Sequence, residues 1–145
     1  MNETKEAKLD TIYPKNCIHI LRIDKDAFFL DVSKLVLMDM DNRFEIDNAC
    51  SVDEALTKMK NKQYDVVVSD YEMPQKNGLQ FLSELREQNN KIPFILFTGR
   101  RREEIDALNL EDISYFCKMG ETETVYSELC QGIVNAVVHA KAILK

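Results

Sequence analysis

From Cys17 onward, short apolar runs alternate with longer amphipathic stretches. Ile18–Ile23 is the first strand candidate. Phe28, Val32, Leu35, Val36 and the pair Asp39-Met40 then follow a helical spacing. Phe44–Ala49 reads as a second strand with weak alternation. Ser51 followed by Glu54 has the form of a capping box and opens a helix with Ala55, Leu56 and Met59 inside. Residues 65–69, Asp-Val-Val-Val-Ser, are β-branched at most positions and predict a buried third strand. Gly78 ends a loop, and Leu79, Leu82 and Leu85 mark a third helix. Pro93–Phe97 is a fourth strand, Arg100–Leu108 a short and highly charged helix, and Ile113–Cys117 a fifth strand. Tyr126, Leu129, Cys130, Ile133, Val134 and Val137 repeat at three and four and predict a long final helix. Residues 1–16 carry mixed charge without a period, with Pro14 near their end, and read as a polar tail before one domain over 17–145.

Five strands alternating with five helices predict an α/β fold, a doubly wound parallel sheet with helices on both faces and right-handed crossovers. In such sheets ligands bind outside the carboxyl ends of the strands, near the switch point in strand order. The polar residues that end the predicted strands are Asp24, Asp70, Thr98 and Lys118. Two carboxylates on one rim suit a hard divalent cation. A carboxylate also attacks a phosphoryl group, and a metal with a lysine neutralises the moving oxygens. Taken singly, each residue has a plainer role: an Asp after a strand caps a helix, as Asp24 would near Asp26, and a Lys is solvated. Four of them at successive strand ends favour a site.

Composition narrows the partners. The chain has 145 residues, 45% hydrophobic and 30% charged, enough to bury one core. A net charge of -6 argues against direct contact with nucleic acid, whose phosphates need a basic face. No apolar run reaches the roughly 20 residues of a membrane span, and the first residues lack a signal peptide's apolar core, so the cytoplasm is expected. Cys17, Cys50, Cys117 and Cys130 are widely spaced without a C-x-x-C pair. They are expected to be buried free thiols rather than zinc ligands.

Three separated segments resemble the receiver domains of two-component response regulators. Tyr64 through Pro74 (Tyr-Asp-Val-Val-Val-Ser-Asp-Tyr-Glu-Met-Pro), with Gly78 and Leu79 behind it, looks like their phosphoacceptor segment. Pro93-Phe-Ile-Leu-Phe-Thr-Gly-Arg100 resembles their fourth strand and switch threonine, in a form similar to archaeal receivers. Tyr115-Phe-Cys-Lys118 matches their switch aromatic and lysine. The resemblance implies a flavodoxin-like, CheY-like sheet of order 2-1-3-4-5 and phosphorylation of Asp70 by a histidine kinase. It implies that Thr98 and Lys118 contact the phosphoryl group and that Tyr115 changes rotamer. Magnesium would be held by Asp24, Asp70 and the backbone carbonyl of Glu72. The family usually ends its first strand with adjacent acids, but here the order is Asp24-Lys25-Asp26. Lys25 thus stands where a metal ligand is expected, which implies weak magnesium binding. Either the Glu72 side chain supplies the missing carboxylate, or the Lys25 ammonium itself occupies the metal position.

Two rival functions fit part of the pattern. Asp24-Lys25-Asp26 also resembles the first motif of haloacid-dehalogenase-type phosphatases, with Asp24 as nucleophile, Asp26 as general acid and Thr98 and Lys118 in later motifs. That assignment leaves Asp70 unexplained and finds only Glu121 and Glu123 where metal-binding acids belong. The second rival is a degenerate receiver that docks without phosphate chemistry, for which Lys25 is the reason. In the receiver assignment the protein is no enzyme, and the fourth helix, fifth strand and fifth helix form the partner face, with charges from Arg100, Arg101, Arg102, Glu103 and Glu104. No output domain follows the last helix, so a stand-alone receiver and the front of a longer protein both remain open.

Overall fold

The computed structural model describes residues 17–106 and 113–143. The expected tail at 1–16 and the end of the charged helix at Leu108 lie outside those residues. Strands β1 (Ile18–Ile23), β2 (Phe44–Ala49), β3 (Val66–Ser69), β4 (Phe94–Thr98) and β5 (Ser114–Cys117) alternate with helices α1 (Ala27–Met40), α2 (Val52–Asn61), α3 (Gly78–Glu87), α4 (Arg102–Asp106) and α5 (Thr122–Ile143). All strand pairs are parallel, in the order β2-β1-β3-β4-β5. The fold is the doubly wound, flavodoxin-like sheet that the sequence predicts.

The central strands β3 and β4 are buried at every position, which requires the unbroken apolar runs they carry. Edge strand β2 is buried only at Phe44, Ile46 and Ala49. Period-two alternation divides the core. Ile18, Ile20, Val66, Val68, Ile95 and Phe97 meet α1 and α5 on one face. Leu21, Ile23, Val67, Phe94 and Leu96 meet α2, α3 and α4 on the other. Each fully buried Leu or Phe contributes about 1.5–3 kcal/mol of transfer free energy, so this two-sided core carries the fold.

Three local expectations need correction. On α1 the buried positions are Leu30, Ser33 and Leu37, whereas Phe28 and Leu35 are 77% and 72% exposed. Of the expected stripe, Phe28, Val32 and Leu35 face outward and Val36 packs against the core, because the helix is apolar on both sides and its inner face contains a serine. On α2, Ser51 accepts from the Glu54 N–H, but the Glu54 carboxylate returns to the Cys50 N–H and not to that of Ser51. The complete capping box lies on α3, where Asn77 and Gln80 bond reciprocally and the helix begins at Gly78. The cysteines are free, but Cys17 is exposed and the other three only half-buried.

Candidate functional site

The order of the strands reverses between β1 and β3, and register pairs Ile23 with Ser69 there. Asp24 and Asp70 therefore leave the sheet side by side, and the ladder continues one residue further through Asp70 N–H to Ile23 O at 2.9 Å. On the far side of β4, the Lys118 N–H bonds Thr98 O at 2.9 Å and carries the lysine to the same rim. Asp24 and Asp70 are only 2% and 7% exposed, which is costly for two carboxylates without partners. Each spends one oxygen on a backbone donor: Asp24 Oδ1 accepts from Asp26 N–H at 2.9 Å and Asp70 Oδ1 from Tyr71 N–H at 2.7 Å. Both remaining Oδ2 atoms accept from Lys118 Nζ, at 2.5 and 2.9 Å. The ammonium also lies 4.7 Å from the centroid of the Phe29 ring.

Beneath this cluster sits Arg22, fully buried in β1, a residue whose importance the strand pattern conceals. Its Nη2 donates to Ser33 Oγ at 3.0 Å and its Nη1 makes a long 3.5 Å contact to Val68 O, while Nε has no hydrogen-bond partner. The guanidinium faces the rings of Phe97 and Phe29 at 5.4 and 5.8 Å. Burial pulls its pKa below the ordinary value, against the attraction of Asp24 and Asp70, yet a guanidinium stays charged in proteins. Arg22 and Lys118 thus balance the two buried acids in formal charge.

Lys25 turns away from the acids, with its Nζ 3.3 Å from Glu72 Oε2. The cation between the carboxylates is Lys118, so the alternative in which Lys25 fills that gap does not hold. Arg100 binds the other Glu72 oxygen, its Nε at 2.6 Å, and this bond first, then that of Lys25, holds the Glu72 carboxyl below its usual range. The Glu72 side chain is therefore engaged by two cations, Lys25 and Arg100. Arg100 also joins the predicted switch residues: Thr98 Oγ1 accepts from its N–H at 3.3 Å, and Tyr115 donates its hydroxyl to its carbonyl. Burial pushes the Tyr115 phenol up to about 12. Asp26 caps α1, with Oδ1 accepting from Phe29 N–H at 3.0 Å. Sequence alone placed Arg100 in a charge run on the partner face and gave no sign that its backbone links Thr98 to Tyr115.

The family model for the response regulator receiver domain matches residues 20–128, a span that holds Asp24, Asp70, Thr98 and Lys118. The chain belongs to the response regulator receiver family. This receiver is 30% identical over 111 residues to a protein-glutamate methylesterase/protein-glutamine glutaminase of Treponema denticola, an alignment that covers 74% of this chain and 30% of that one. It is 28% identical to the transcriptional regulatory protein MalR of Bacillus subtilis, over 77% of this chain and 48% of that protein. Among solved structures, a receiver domain from Clostridium thermocellum superposes with TM-score 0.73 at 26% identity, covering 87% of this chain and 98% of that one. The chain spans between about a third and a half of the length of these curated relatives. The match supports the receiver role, and one of these relatives is named as an enzyme, so the expectation that the protein is no enzyme is not established by it. Among the described residues no helix is long and apolar enough to cross a membrane.

The receiver rim suits magnesium by its donors. Two buried carboxylates hold oxygens against one cation, and all the donors are hard oxygens, as magnesium requires.

Proposed function

We propose that Asp70 accepts a phosphoryl group from a histidine kinase and that Thr98 and Lys118 bind the oxygens of the transferred group. The observation that carries this is the shared Lys118 bond to Asp24 and Asp70 at the switch point of the sheet. An Asp70 oxygen attacks phosphorus, the bond from phosphorus to the donor imidazole nitrogen breaks, and its electron pair returns to that nitrogen. The Tyr71 N–H fixes the carboxylate plane, so the attacking oxygen is already oriented. Lys118 moves from the carboxylates toward the new phosphoryl oxygens and keeps their charge paired. Asp24, Asp70 and the Glu72 backbone carbonyl would hold magnesium, which supplies further neutralisation of those oxygens.

Output follows from Thr98. Its hydroxyl accepts from the Arg100 N–H and has its own O–H to donate to a phosphoryl oxygen, so a shift of Thr98 toward that oxygen pulls on the β4–α4 connection that Tyr115 also holds. The α4-β5-α5 face is the proposed partner surface. A receiver that docks without phosphate chemistry is the second reading, and Lys25 at the rim favours it. Incubation with acetyl phosphate and magnesium, followed by mass spectrometry, decides between them. One phosphoryl group should appear on Asp70 and be absent from Asp70→Asn. An unmodified wild-type chain supports the docking module, and an adduct on Asp24 overturns Asp70 as the acceptor.

A further inference from the structure

We propose that Cys17, His19 and Glu45 form a zinc site at the amino ends of β1 and β2, the opposite end of the sheet from the phosphoacceptor. Register pairs His19 with Glu45 across neighbouring strands. Residues two apart on an extended chain point to one face, so Cys17 joins His19 there. A thiol, an imidazole and a carboxylate meet, with one ligand atom from each lying within 4.8 Å of the others.

The contacts within the trio leave a gap in its bonding. Cys17 Sγ donates to Glu45 Oε1 at 3.4 Å, and this bond keeps the thiol protonated above its ordinary range. His19 Nδ1 lies 3.1 Å from Glu45 Oε2, yet it is shut off from solvent and has no bond of hydrogen-bonding geometry. A buried nitrogen facing a carboxylate oxygen with no proton aligned between them is the arrangement a cation completes. The Asp65 carboxylate accepts from the His19 backbone N–H at 2.8 Å and anchors the strand that carries the imidazole.

The spacing fits the metal. Tetrahedral zinc with ordinary bond lengths sets its donor atoms about 3.3–3.6 Å apart, and the two contacts to the Glu45 carboxylate, at 3.4 Å from Cys17 and 3.1 Å from His19, lie at or just below that spacing. Sulfur, nitrogen and oxygen donors together select a borderline ion such as zinc over magnesium, which takes oxygen. Binding replaces the Sγ–H bond with a Sγ–zinc bond and releases the proton to solvent. Three protein ligands leave the fourth position to water. The ion would clamp the edge strand β2 to β1.

The test uses the full chain with excess magnesium to occupy the carboxylate rim. Zinc is titrated against a chromophoric chelator, and cobalt is used in parallel for its thiolate-to-metal absorption band. The wild type should bind one zinc and give the band. Cys17→Ser, His19→Gln and Glu45→Gln should each weaken zinc by at least about tenfold, and Cys17→Ser should abolish the band. Cys130→Ser should change neither. Circular dichroism of each variant separates a lost ligand from a lost fold, and three independent ligand positions keep the test open if one variant misfolds. A wild type that binds zinc no more tightly than Cys17→Ser, or a band that survives Cys17→Ser, overturns the site.

Discussion

Replacing Gly78 with alanine should damage both the fold and the acceptor, because of what lies above it. A Cβ built on Gly78 would sit 2.4 Å from the backbone carbonyl oxygen of Asp70 and 3.1 Å from Leu96 Cδ1. The Gly78 N–H already bonds Tyr71 O at 2.8 Å, which presses the start of α3 against the end of β3. An ordinary contact is about 3.4 Å or longer, so about 1 Å must be found, and it must come from backbone. Overpacking of this kind costs typically about 1–3 kcal/mol, and a rigid carbonyl points to the upper part of that range. Alanine returns up to about 1 kcal/mol in helix propensity. The net loss is about 1–2 kcal/mol, or a fall in Tm of about 3–8 °C for a chain of this size. A displacement near 1 Å at the nucleophile lowers phosphorylation by about ten- to a hundredfold. Gly132→Ala is the comparison: its Cβ would sit 2.3 Å from Phe116 Cζ and 2.6 Å from Cε2, a side-chain overlap on another helix, so it too should lower Tm but leave the phosphorylation rate per folded molecule unchanged. Thermal melts and acetyl phosphate kinetics read both quantities. A Gly78→Ala protein with wild-type Tm and wild-type rate refutes the reasoning. A lowered Tm with an unchanged rate per folded molecule refutes the link to Asp70.

Three further outcomes are expected. Lys25→Asp should tighten magnesium several-fold by calorimetry and speed phosphorylation, since it removes a cation from the rim and one of the two that engage Glu72; equal affinities would clear Lys25 of any part in slow chemistry. Arg22→Met should lower stability to urea by up to about 3 kcal/mol, because it leaves two buried acids with Lys118 as their one buried counter-charge and takes the donor from Ser33, and should tighten magnesium by removing positive charge beneath the acids; unchanged or raised stability contradicts this. Arg43, which bonds Asp41 in bidentate fashion at 3.0 and 2.7 Å, holds that carboxyl below its usual range. A carboxyl depressed by folding adds stability that is complete above its unfolded pKa of about 3.9 and is lost as the pH falls through the folded value, so Asp41→Asn should cost up to about 1 kcal/mol at pH 7 and little at the acid end. A constant difference across the acid limb would rule that out.

The strands and their polar ends were legible because a two-faced sheet leaves an unmistakable mark, as in Val66-Val67-Val68 followed by Asp70. The site residues followed from the topology, since each ends a strand on the same rim. What the sequence hid were polar groups facing inward. Arg22 sits within an apolar run and Ser33 on a buried helix stripe, and each is tolerable only because of the other. Neither residue announces its partner 11 positions away. Arg100 was hidden for the opposite reason: its guanidinium belongs to an exposed charge run, while its backbone joins Thr98 to Tyr115. The α3 cap went unseen because Asn and Gln stand in for the more familiar Ser and Glu.

The Ser33–Arg22 bond settles an ambiguity built into α1. At about 100° per residue, the stripe Leu30, Ser33, Leu37 and the stripe Phe28, Val32, Leu35 lie about half a revolution apart. By oiliness alone the second would make the better inner face, so the helix has two ways to lie on the sheet. Rolling it over would bury Phe28 and Val32 but strand the Arg22 guanidinium beneath them without its acceptor, at a cost of several kcal/mol for an orphaned buried charge. One hydroxyl therefore acts as a key for helix orientation. Removing both halves together, as in Arg22→Met with Ser33→Ala, would produce a chain of respectable stability and uncertain facing, visible as doubled or broadened α1 resonances in its NMR spectrum.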